Sequence, residues 1–113
     1  MRDDRERLRD ILEAIEHIGK YVAKGRTAFQ ADELIQAWFL RHLQIIGEAC
    51  RSLSASVKNR HPEIPWSKII GMRHILVHDY FDIDLPLVWN VVERELQELK
   101  KHVTAILNEL GES

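Results

Sequence analysis

Residues 73 to 81 read "RHILVHDYF". Isoleucine, leucine and valine at 75 to 77 call for a buried helix, yet Arg73, His74, His78 and Tyr80 all need hydrogen-bonding partners. On a regular helix at about 100° per residue, Ile69, Ile70, Leu76 and Val77 fall within about 60° of Arg73, so the arginine sits at the centre of the apolar face. Tyr80 lies on nearly the same line, and His74 and His78 form an i, i+4 pair to one side. A buried arginine keeps its proton and requires an acceptor. Glu48, in "IIGEAC", is the candidate counter-ion, and Gly47 beside it would permit close approach of another helix.

Three chemistries are open to such a set. The first is a buried Arg73–Glu48 pair that only fixes helix register. The second is a metal site on His74 and His78, with Asp82 as a third ligand, although no further acidic or cysteine partner has a distinctive spacing. The third is acid–base chemistry on a phosphodiester. A histidine titrates near neutral pH, and an arginine holds the charge of a pentacovalent phosphorus bidentately. These two residue types suffice for RNA cleavage without a metal, because RNA carries its own nucleophile in the 2′-hydroxyl.

The elements that must position these residues are legible as helices. Leu8, Ile11, Leu12, Ile15, Ile18 and Val22 recur at steps of three and four, which predicts an amphipathic helix over roughly 4 to 24 with Gly25 as its stop. Ala31, Leu34, Ile35, Trp38, His42, Ile45, Ile46, Ala49 and Leu53 keep the same period, and Phe39, Leu40 and Leu43 widen the apolar surface. This second helix is therefore expected to be the most enclosed. A short helical turn over 54 to 60 precedes "HPEIPW", where Pro62 and Pro65 disfavour helix in the residues before them. A third helix begins at Ser67 and ends in a turn between Asp79 and Pro86. Leu85, Val88, Val92, Leu96, Leu99, Val103, Ile106 and Leu110 mark a last helix of about 25 residues, or roughly 38 Å. With no alternating strand pattern, no repeat and no linker, the expectation is one all-α domain over 1–113, an up-and-down bundle of four to five helices.

Composition narrows the function classes. The chain has 113 residues, 45% hydrophobic and 30% charged, which describes a folded globular protein. Its apolar runs are too short to span a bilayer, and the charged "MRDDRERLRD" start is unlike a signal peptide, so a cytoplasmic location and no membrane are expected. The single cysteine, Cys50, excludes an internal disulfide and reads as a packed thiol. Residues 41 to 74 hold six basic side chains against Glu48 and Glu63, a local +4 in a chain of net −2. That suits contact with a few phosphates better than the coating of long nucleic acid.

Arg73, four intervening residues, His78, one residue and Tyr80 reproduce the R-x4-H-x-Y pattern of the HEPN superfamily. Together with "LRHLQIIGEACRSLS" at 40 to 54 and "HPEIPWSKIIGMRHILVHDYF" at 61 to 81, the chain resembles the HepT-like toxins. Position 74, commonly asparagine in that pattern, is histidine here. The resemblance implies a homodimeric HEPN bundle acting as a metal-independent endoribonuclease toxin, with RNA as substrate and no cofactor. It implies Arg73 and His78 as catalytic residues and His74 as an assistant. Tyr80 would be the acceptor of AMP from a cognate minimal nucleotidyltransferase antitoxin. It also implies that motif residues of two protomers face each other across a cleft, which eases a geometric difficulty: on one straight helix Arg73 and His78 lie about 140° apart. The same fold is associated with a second role, a non-catalytic subunit that binds nucleotide or regulates a nucleotidyltransferase.

Overall fold

In the computed structural model, residues 3–72 and 83–111 are described. Helix α1 spans Asp4–Val22. It starts where Asp3 Oδ1 accepts the Glu6 backbone N–H at 2.9 Å, a side-chain cap on one of the orphan donors of the first turn. Its buried stripe is Leu8, Ile11, Ala14, Ile15 and Ile18, at the predicted period. After Gly25, whose φ of 93° suits a residue without Cβ, the chain makes a six-residue helix α2, Arg26–Ala31. No helix is predicted here from the sequence, since six residues are too few to show a period. One side chain of α2, Phe29, is buried. It stacks on Phe39 at 5.3 Å between ring centroids and meets Trp89 at 5.6 Å.

Helix α3, Glu33–Ser52, is capped by Asp32, whose side chain accepts from the Leu34 N–H. It buries Ile35, Phe39, His42, Leu43, Ile46, Gly47, Ala49 and Cys50, the widest buried surface of any element described. α1 and α3 run antiparallel. At one end Ser54 donates its backbone N–H and its hydroxyl to the Asp4 carboxylate at 2.9 and 2.7 Å. At the other end Trp38 Nε1 donates to the His17 carbonyl at 2.9 Å.

The expected turn after α3 is helix α4, Ala55–Arg60, capped by Ser54 Oγ on the Val57 N–H. Helix α5, Trp66–Ile70, follows the Pro62 and Pro65 stretch. The predicted last helix is a single rod in three parts: α6, Leu85–Asn90; a π-helical turn, Val91–Glu95; and α7, Leu96–Glu109. Asp84 caps it through the Leu87 N–H, with Pro86 in the first turn. The widened turn has a reason in the sequence. Val88, Val92 and Leu96 are spaced four apart, and each step of four overshoots a full α-turn by about 40°. A π turn takes up that drift, and all three side chains stay at or below 2% exposure.

The regular elements among the described residues are all helical, as expected for a HEPN bundle. No helix of the described residues is long and apolar enough to cross a membrane.

Candidate active site

Arg73, His74, His78, Tyr80 and Asp82, together with the expected end of the third helix, lie outside the described residues. What the structure defines is the frame on either side of them. Upstream is α5, then Gly71 and the buried Met72. Downstream are Ile83 and the Asp84 cap of α6.

Five residues make a weak helix on their own, so α5 is placed by its surroundings. Towards α3 it meets Gly47: a Cβ built there would lie 3.3 Å from the Ile69 carbonyl oxygen and 3.5 Å from that of Ile70. The close approach anticipated from Gly47 is thus made by α5. On its N-terminal side Trp66 Nε1 donates to the His61 carbonyl at 3.0 Å, which ties the helix to the preceding loop. Towards the last helix Lys68 Nζ pairs with Glu95 Oε1 in the π turn. Beneath that ion pair is a largely apolar cavity of about 220 Å³, walled by Ile64, Ile69, Met72, Leu87, Val91 and Leu99.

His61 fixes the loop further. Its two ring nitrogens lie 3.3 Å from Glu63 Oε2 and 3.0 Å from Glu109 Oε2, bridging the loop to the end of α7. The Glu63 carboxyl is held below its ordinary pKa, first by its own backbone N–H and then by His61. Neither the His61 bridge nor the Lys68–Glu95 pair was legible in the sequence, because the partners stand 48 and 27 residues apart and no local spacing links them.

Glu48 requires a correction. Expected at the edge of the apolar stripe as the candidate counter-ion of a buried Arg73, it has a side chain that is 65% exposed and lies 3.9 Å from Arg51 Nη1. The reason is local: Gly47, Ala49 and Cys50 take the inward positions of that turn, and the carboxylate between them faces out. It lines an open groove with Arg7, Asp10, Arg41 and Gln44. Cys50 is the packed thiol expected, fully buried, and desolvation pushes its pKa up to about 12. Of the basic side chains between 41 and 68, Arg41, Arg51, Arg60 and Lys68 are exposed. Among the described residues no three His, Cys, Asp or Glu side chains gather as metal ligands would.

Comparison with known proteins adds the family. The family model described as "Ribonuclease HepT-like" matches residues 11–106, a stretch that includes the whole of 73 to 80. A relative from Thermococcus cleftensis, "Probable ribonuclease HepT", is 37% identical over 100 residues, covering 88% of this chain and 91% of that protein. A "Putative RNase" of Methanocaldococcus jannaschii is 33% identical over 106 residues, covering 93% and 97%. Another protein of that organism, "Gamma-glutamylcyclotransferase and putative RNase", is 36% identical over 107 residues; they make up 94% of this chain, which spans about half of that relative (48%). No solved structure matches the chain. The chain belongs to the HepT-like ribonuclease family.

Proposed function

We propose that this chain is a metal-independent endoribonuclease that works as a homodimer and serves as the toxin of a toxin–antitoxin pair. The observation that carries the reading is the family match: it runs through 11–106 and so contains Arg73, His78 and Tyr80 at their motif spacing. RNA supplies the nucleophile. His78 takes the proton of the 2′-hydroxyl or delivers one to the departing 5′-oxygen. Arg73 holds the non-bridging oxygens, whose charge grows as phosphorus becomes pentacovalent. The 2′-oxygen–phosphorus bond forms as the 5′-oxygen–phosphorus bond breaks, leaving a 2′,3′-cyclic phosphate and a 5′-hydroxyl. His74 assists from the neighbouring position. A supporting contact from Glu48 would be made from its exposed place on α3, not as a buried charge.

Neutralisation is assigned to Tyr80. Transfer of AMP from ATP to its hydroxyl by a cognate nucleotidyltransferase releases pyrophosphate. It sets a bulky phosphodiester anion beside the cationic groups meant for RNA, obstructing substrate by volume and by charge.

The test is cleavage of single-stranded RNA in EDTA by purified protein freed of any partner. Arg73→Ala and His78→Ala should each abolish cleavage while helical content and dimerisation persist. Activity lost on chelation and restored by zinc or manganese would instead favour a His74–His78 metal site. Incubation with the partner enzyme and ATP should raise the intact mass by AMP units, and Tyr80→Phe should refuse the label. Full activity in a strictly monomeric preparation would sink the shared cleft.

A further inference from the structure

α5 ends at Ile70, three residues before Arg73 in the chain, so whatever fixes α5 fixes the point from which the motif departs. Its contacts are unequal. Towards the last helix there is a side-chain ion pair, Lys68–Glu95, over the apolar cavity, and both can yield. Towards α3 the contact is of another kind. The atoms facing position 47 are the backbone carbonyl oxygens of Ile69 and Ile70, at 3.3 and 3.5 Å from where a Cβ would stand. A side chain can rotate away from a new methyl group, but a carbonyl in the last turn of a helix moves only with its helix. Gly47 itself is buried within α3, where a glycine weakens the helix relative to alanine. Its place there asks for a compensating reason.

We infer that Gly47 is a positioning residue of the site: its missing side chain sets how closely α5, the helix that leads into Arg73, approaches α3. Adding one methyl group pushes on the Ile69 carbonyl, the closer of the two, which must give by a few tenths of an ångström and carry α5 towards the cavity on its far side. The helix propensity of α3 rises at the same time, so loss of activity and loss of stability part company. Gly19, exposed on α1 with nothing within 4 Å of its added Cβ, is the matched control.

The activity arm rests on the ribonuclease reading; the structural arm does not. In RNA cleavage, Gly47→Ala should lower kcat about tenfold with KM within about twofold, since reacting groups lose far more from misplacement than substrate binding does. Gly19→Ala should leave both constants unchanged. Independently of any cleavage, the backbone amide resonances of residues 68 to 72 should shift in Gly47→Ala by more than those of α1 and α7. Unshifted resonances overturn the inference whether or not the wild-type protein cuts RNA, and so does a kcat loss matched by an equal loss of folded fraction. If wild-type protein is inert while the resonances move, the ribonuclease reading fails and the positioning stands. Should Gly47→Ala not fold, Glu95→Gln loosens α5 from its other side, and the same resonances must respond to it.

Discussion

The α1–α3 interface and the seat of α5 join helices to the same core by different means. α1 and α3, of 19 and 20 residues, bury stripes over several turns each and are tied by Ser54–Asp4 at one end and Trp38–His17 towards the other. α5 has five residues, of which Trp66 and Ile69 are buried. Among the described residues, those two side chains are joined by a close glycine contact, an indole hydrogen bond and an ion pair in seating it, with a cavity on one flank. A long helical pair averages its placement over many side chains and tolerates small errors in any of them. A short helix with two buried side chains has few contacts over which to average, so each one weighs more on its placement. The R-x4-H-x-Y residues follow the second kind of element in the chain.

The largest effect that would test this contrast is on the aromatic centre. Phe39 has no exposed surface and stacks on Phe29. Phe39→Ala should cost about 3–5 kcal/mol in urea unfolding, by lost transfer energy and the void left behind. Leu87→Ala, at a half-buried position on the cavity wall, should cost less than half as much. Equal costs would mean that the flank of α5 is packed as tightly as the α2–α3 core. A smaller effect comes from Cys50, on the tightly packed side. Burial raises its thiol from 9.0 to about 12, so the folded protein keeps that proton at pH values where the unfolded chain has lost it. The contribution is whole below pH 9 and is lost as pH rises towards 12, by about 1.4 kcal/mol for each unit in that window. Cys50→Ala should therefore show a shallower fall in stability between pH 9 and 10.5 than the wild type. Iodoacetamide should label the native thiol far more slowly than the unfolded one.

Legibility in the sequence follows the same division. α1, α3 and the last helix each repeat their apolar stripe over several turns, and period alone finds them within two or three residues of their ends. Gly47 was legible as a point of close approach because glycine in a helix is costly without a reason. α2 was not, since six residues hold fewer than two turns. The π turn is visible only afterwards, in the four-residue spacing of Val88, Val92 and Leu96. Glu48 misled because helix position was judged from neighbouring apolar residues, while the structure spends the inward positions of that turn on Gly47, Ala49 and Cys50. The motif residues themselves were found by type and spacing, which fix chemistry without fixing coordinates. The ties that seat α5 join residues far apart in the chain, and no local pattern records them.

The smallest expected effect separates the two regions by sign. Ala14, 3% exposed, belongs to the packed face of α1, and Val91, 3% exposed, lines the cavity beside α5. Ala14→Val adds two methyl groups at a position enclosed in the core. The added volume forces rotamers or backbone to shift, at a cost of about 1–3 kcal/mol. Val91→Ile adds one methylene beside about 220 Å³ of apolar space. There the added group has room, and burying it should stabilise by up to about 0.8 kcal/mol. Opposite shifts in thermal midpoint would confirm that one contact is close-packed and the other is not. If Val91→Ile destabilises as Ala14→Val does, the space beside α5 is not available to it, and the freedom of that helix to yield towards the last helix would have to be withdrawn.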